Sequence, residues 1–192
     1  MRKGEVSRQK LVDKTAELLQ RQGFHATGLA QIVAESGAPR GSLYFHFPGG
    51  KEELACAALE ASGARWQELL GVVASSHEDA GEAIEAVCRA IAETMEATGF
   101  AQGCPLATVA LEAAGSSDRV QETIAAHYDA WRGVIAARLE GRVSGAERRR
   151  VATLVLSAVE GAMLLAKVER SKRPLLDVGR TLRALVGELP GA

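Results

Sequence analysis

Pro39 and Pro48 confine whatever lies between them to a helix of about eight residues. Proline suits the first turn of a helix, where its missing N–H is not needed, and the residue before the second proline is biased out of helical geometry. A helix that short rises roughly 12 Å. It is too short for a strut, but it matches a DNA major groove about 12 Å wide. Its faces differ in kind. Leu43 and Phe47, four apart, share one side, whereas Arg40, Ser42, Tyr44, Phe45 and His46 occupy the rest. Two aromatics and an imidazole outside so small a helix favour a binding surface over a solvated one.

The segment before Pro39 supplies a partner helix. Thr27 is placed to cap it, Leu29, Ile32 and Val33 recur at helical spacing, and Gly37 suits the C′ position, which favours positive φ. Further upstream, residues 5–22 carry Leu11, Thr15, Leu18 and Leu19 on one stripe, and Gly23 ends that helix. The three helices together form a helix-turn-helix unit. Arg2, Lys3, Arg8 and Lys10 make a basic arm ahead of it, which is either a DNA contact or a solvated tail.

Charge is divided along the chain. The net charge of the 192 residues is −1, yet residues 1–51 hold eight Lys/Arg against four Asp/Glu, leaving the remainder at −5. A basic end on an acidic body suits phosphate contact at one end only. Cys56, Cys88 and Cys104 are odd in number and have no C-x-x-C spacing. They point away from a disulfide framework or zinc site, and toward a reducing cytosol. No signal peptide is read at the start. The most apolar run, residues 151–166, is shorter than the ~20 residues of a membrane helix and contains Glu160, so no membrane partner is expected.

The rest of the chain reads as helices as well. Glu52 and Glu53 complement the start of a fourth, which carries Leu59, Trp66, Leu69, Leu70 and Val73. Asp79 caps a fifth with Ile84, Val87, Ile91 and Met95 inward. A loop over residues 98–105 leads to a short sixth helix over 105–114. A seventh follows to about residue 139 with Val120, Ile124, Tyr128, Trp131 and Ile135 inward. Ser144 caps an eighth, apolar nearly all round from 151 to 168, which must be buried on more than one side. Pro174 opens a ninth striped by Leu175, Val178, Leu182, Leu185 and Leu189. No segment alternates with period two over strand length. The expected fold is all-α with about nine helices, divided into residues 1–50 and 51–192.

The stretch from Gly23 to Leu54 resembles the DNA-binding domain of the TetR family of bacterial transcriptional repressors, and within it the block from Gly37 to Leu54, with its Pro48-Gly49-Gly50 turn, resembles the LmrA/YxaF branch. The resemblance covers about a sixth of the chain. It implies a homodimer on a double-stranded, pseudo-palindromic operator, released by a small-molecule effector in the body, with no cofactor and no metal. For DNA it implies Arg40 as a reader of guanine, with a phosphate or solvent contact as the alternative, Gly41 allowing close approach, Ser42 on a base or phosphate, and Phe45 on a thymine methyl. Thr27, Tyr44, His46 and Lys51 become phosphate contacts that set register. Gly41 and Phe45 depart from commoner family choices, which leaves base identity open.

The same resemblance implies a pocket, for which Trp66, Met95, Phe100, Cys104, Leu106, Tyr128, Trp131 and Glu160 are candidates, each with an alternative reading as core packing. Glu160 interrupts an apolar helix and needs a partner in this chain, the other subunit or a ligand. A lipophilic, mostly aromatic or cationic effector suits this set; relatives in the branch respond to lipophilic drugs or flavonoids. Dimerisation is expected through the eighth and ninth helices at Val155, Val159, Ala162, Leu182 and Leu185, the alternative being that both helices fill a monomer core. Two alternatives stay open: a DNA-localised interaction adaptor on the same scaffold, and a thiol sensor at Cys104, a cysteine at a helix start. Catalysis has no motif behind it, and His77-Glu78-Asp79 reads as helix capping rather than a metal site.

Overall fold

Gly23 is where the first helix turns. The computed structural model of the protein describes residues 3–189; Arg2 of the basic arm lies outside them, as does the side chain of Lys3. Helix α1 (Lys3–Ala26) is interrupted at Gly23, whose φ of 82° and ψ of −177° are outside helical geometry, and its last turn leaves at an angle. Helix α2 (Leu29–Ser36) ends at Gly37 with φ 63°, the left-handed closure expected there. Its first residue is not capped by Thr27. The N-cap is Gly28, with no side-chain bond, because Thr27 is buried and its hydroxyl donates instead to the Gly23 carbonyl at 2.6 Å.

The helix bracketed by the prolines is shorter than expected. Helix α3 spans Ser42–His46, and Pro39, Arg40 and Gly41 form a turn ahead of it. The Pro39 carbonyl accepts both the Ser42 N–H at 2.9 Å and the Ser42 hydroxyl at 2.6 Å, so the chain enters α3 through a hydrogen-bonded turn. Leu43 and Phe47 point inward as their spacing requires. They join Leu11, Val12, Leu18, Ile32 and Leu54 in one core. The Arg8 guanidinium lies over the Phe47 ring, 5.2 Å from its centre, so this residue of the basic arm closes the core edge.

The remaining elements are α4 (Gly50–Ser75), α5 (Ala80–Ala97), α6 (Pro105–Ala113), α7 (Asp118–Arg138), α8 (Gly145–Glu169) and α9 (Arg173–Gly187). The fold is all-α, with nine helices and no strand among the described residues. Contacts divide the chain into two units. The first holds residues up to Arg65 together with Cys104–His127, and the second holds Trp66–Gly103 and the residues from Tyr128 onward. The first unit is thus larger than residues 1–50, because α6 packs along α1. Ser117 starts α7 there, accepting the Val120 N–H at 3.1 Å and donating its hydroxyl to Glu52 at the start of α4.

The second unit is built on α5, α8 and α9. Asp79 caps α5 by accepting the Glu82 N–H at 2.9 Å, and Ser144 caps α8 by accepting the Glu147 N–H at 3.3 Å, both as their sequence context indicates. Ile84, Cys88, Val151, Val155, Leu182 and Val186 form its core. On α9 it is Val186 that completes the buried stripe; Leu185 faces outward. Helix α8 is long and apolar enough to cross a membrane by length and composition alone. In this fold one side of it, with Ala152, Val155, Ala162 and Ala166, is buried, while Leu154, Leu164, Leu165 and Val168 are exposed. The chain therefore covers α8 on one side and not on several.

Candidate nucleic-acid interface and ligand cavity

On the first unit, α3 presents a surface whose shape follows from its anchors. Leu43 and Phe47 tie down one side, which leaves Tyr44 and Phe45 66% and 80% exposed, far outside what burial would choose for aromatics. Phe45 meets His46 edge-on with ring centres 4.9 Å apart, so these two side chains brace each other at the end of the helix. Arg40 and Gly41 are exposed in the turn ahead of α3, and Ser42 is half-buried. With its proton committed to Pro39, the Ser42 hydroxyl offers lone pairs to an incoming donor.

Two of the expected phosphate contacts already have partners within the first unit. Thr27 is 1% exposed and bonded to Gly23, so its hydroxyl serves the turn between α1 and α2. Lys51, at the start of α4, lies with its ammonium 4.5 Å from the Phe24 ring centre and donates to the His25 carbonyl at 3.4 Å. Burial pushes its pKa below the ordinary lysine value, and the negative charge of Glu112 partly restores it. Thr27 thus holds the turn between α1 and α2, and Lys51 ties the start of α4 to the end of α1.

The second unit contains a cavity of about 120 Å³ with almost wholly apolar walls. Leu70 comes from α4, Ile84, Val87 and Ile91 from α5, Trp131, Ile135 and Arg138 from α7, and Val155 and Val159 from α8. Of the candidate pocket residues, Trp131 lines it. Tyr128 contacts Trp131 edge-on at 5.7 Å. Met95 is buried on α5, Trp66 is half-buried on α4, and Glu160 is half-buried on α8 and not left without a partner. Phe100 sits in the loop after α5 with φ 60°, its N–H donating to the Met95 carbonyl at 2.7 Å. Cys104 and Leu106 belong to the first unit, both buried.

The cavity wall was hidden in the sequence because Ile84, Val87, Ile91, Val155 and Val159 carry the same pattern as core residues. Only their failure to meet across the unit makes them a lining. Arg138 offered a different signal, a charge at the end of a helix, and reads there as a complement to the helix dipole. Its side chain does more: Nη2 donates to the carbonyls of His77 and Glu78, which closes α7 onto the break before α5.

All three thiols are buried and none is in a disulfide. Cys104 caps α6, its Sγ accepting the Ala107 N–H at 3.5 Å. Burial raises the thiol pKa of both Cys56 and Cys88, the latter to about 12. Among the described residues, no three His, Cys, Asp or Glu side chains gather as a metal site would require.

Comparison with known proteins agrees with this geometry on both units. Residues 11–58 match the family described as bacterial regulatory proteins, tetR family, and residues 80–181 match the LmrA/YxaF-like C-terminal domain of transcriptional regulators. The HTH-type transcriptional regulator YxaF of Bacillus subtilis is 36% identical over 181 residues, 94% of this chain and 95% of that protein. LmrA from the same organism is 32% identical over 94% of this chain and 96% of its own length. A solved TetR regulator from Chloroflexus aurantiacus superposes with a TM-score of 0.82 at 27% identity, over 98% of both chains. With both family models matched in order along an all-helical chain, and relatives matched over nearly their whole length, the chain belongs to the TetR family of bacterial regulatory proteins, in its LmrA/YxaF-like branch, and is a DNA-binding transcriptional regulator and not an enzyme.

Proposed function

We propose that the protein is a ligand-responsive repressor that binds a pseudo-palindromic operator as a homodimer in the cytoplasm and leaves it when a small effector occupies the cavity of the second unit. The cavity carries this reading. Leaving about 120 Å³ of apolar space unfilled forfeits packing worth roughly 3 kcal/mol, which a core built only for stability would recover with larger side chains.

The dimer reading rests on α8. Leu154, Ser157, Gly161, Leu164, Leu165 and Val168 recur at three- and four-residue spacing and are all exposed, with Leu185 exposed on α9. Val155, Ala162 and Leu182, expected at the dimer contact, are buried within the chain instead, and Val159 lines the cavity. The open face is therefore one step round the helix from the expected one. A second copy covering it would set two α3 helices against successive major grooves, which requires half-sites roughly 34–36 Å apart.

In this mechanism the effector prefers a conformation in which α4 holds the readers at the wrong spacing, so binding shifts the population away from the DNA-competent state. The test is a thermal-shift screen of the dimer against lipophilic drugs, flavonoids and aromatic acids, followed by fluorescence anisotropy on DNA from upstream of its own gene. A hit is expected to raise the melting temperature and weaken DNA binding about 5- to 150-fold. Compounds that bind the cavity and leave DNA affinity unchanged would overturn the proposal.

A further inference from the structure

Arg138 is the one charged side chain among the residues lining the second unit's cavity. Its guanidinium is held from one side, where Nη2 meets the His77 and Glu78 carbonyls. Its Nε–H is buried and has no hydrogen-bond acceptor. A buried donor on a charged group is costly to leave unmade, more so than on a neutral one. Ile84, Val87, Ile91, Val155 and Val159 have no side-chain acceptor to offer it, and Gln67, the lining residue whose amide oxygen could accept, makes no hydrogen bond to it.

We infer that the cavity takes a compact molecule of about one aromatic ring carrying an anionic oxygen, a carboxylate above all, with Arg138 Nε–H donating to that oxygen. The inference rests on the reading of the cavity as a ligand site and adds the chemistry of the ligand. Size supports it: the cavity approaches the roughly 150 Å³ of an apolar protein cavity that accepts benzene. Trp131 supplies an aromatic wall, and the aliphatic side chains surround the ring. A cationic ligand, which the sequence left open, is repelled by the guanidinium and offers Nε–H no lone pair. A bare hydrocarbon fits the walls and leaves the donor unmade.

The test titrates benzoate, benzamidine and toluene, which share one ring and similar size, into the full-length protein. Binding is read by calorimetry and by the indole N–H NMR signal of Trp131, identified with Trp131→Phe. Benzoate and toluene are expected to move that signal, and benzoate to bind about tenfold or more tighter than benzamidine. Arg138→Met is expected to abolish this preference while toluene binding persists. Arg138→Lys keeps the charge without an Nε–H, and is expected to weaken benzoate binding about tenfold with toluene unchanged, which covers the case of a poorly folded Met variant. Benzoate binding no tighter than benzamidine, or unaltered in a folded Arg138 variant, overturns the inference and leaves the cavity as a ligand site. A Trp131 signal unmoved by all three probes overturns the cavity reading with it.

Discussion

Glu112 Oε2 accepts a hydrogen bond of 2.8 Å from the backbone N–H of His25, joining α6 to the turn that follows the Gly23 kink across 87 residues of sequence. The His25 ring adds a second link, with Nε2 3.2 Å from the Glu112 carbonyl oxygen, where a protonated Nε2 donates. The carboxylate fits there because Gly23 has no side chain. A Cβ at Gly23 would collide with it, and φ at this position is +82°.

Gly23→Ala is therefore expected to destabilise the protein by about 2–3 kcal/mol, from left-handed strain together with displacement of Glu112. Glu112→Ala alone costs about 1 kcal/mol, since the bond is exposed. The double variant should be more stable than the sum of the two, because removing the carboxylate leaves only the backbone strain. Urea denaturation of the four proteins checks this; strict additivity would show that the Gly23 side of the contact is empty in solution.

Arg40→Ala is expected to weaken specific operator binding by about 1–3 kcal/mol with the fold and dimer intact, because Arg40 is exposed in the turn before α3 and outside the core. Anisotropy titrations on operator and scrambled DNA separate base reading from phosphate contact. Equal losses on both sequences assign Arg40 to the phosphates, and unchanged affinity removes it from the interface.

Leu164→Arg places a charge in the exposed stripe of α8, where Leu164 is 60% exposed in the single chain. The expected result is a folded monomer by sedimentation that has lost operator binding, since burying an unpaired charge against a second copy costs several kcal/mol. Val155→Ala, on the buried side of the same helix, is expected to leave the dimer in place and lower the melting temperature through a larger cavity. A dimeric Leu164→Arg protein would move the interface elsewhere.

Cys88 carries a pH signature. Its buried thiol titrates at about 12, above the value it has when unfolded. Below the unfolded pKa both states hold the proton and stability is unaffected. As pH rises past it, the unfolded chain alone loses its proton, so stability falls by up to about 1.4 kcal/mol per pH unit. Cys56 is shifted in the same direction by burial and contributes likewise. Cys88→Ala should flatten the alkaline fall by one proton's worth in urea titrations run from pH 8 upward, and native Cys88 should resist thiol reagents near neutrality. An identical slope in the variant would contradict the burial.

Local signals located much of the fold and part of the candidate site. Asp79 and Ser144 cap the helices they were expected to cap, because a side-chain acceptor next to orphan N–H groups needs no tertiary partner. The exposure of Tyr44 and Phe45 follows from the four-residue spacing of Leu43 and Phe47. Thr27 escaped the same logic, since a hydroxyl can either accept an N–H of the helix that follows or donate to a carbonyl of the one before, and here it donates to Gly23 at the kink.

By itself the sequence determined about where most helices start and stop, which residues share a face, and that Tyr44 and Phe45 stand outside a short helix, because each depends on chain geometry over a few residues. Tertiary structure decided the rest. An α8 that is apolar nearly all round has no rotational phase of its own; packing on α5 and α9 turned Val155 and Ala162 inward and left Leu164 and Val168 outside. The same packing left α5, α7 and α8 short of full contact around Trp131 and placed Arg138 in the wall of the resulting cavity. Periodicity says which residues lie together on a helix, and only the partner helix says which way they face and whether they touch.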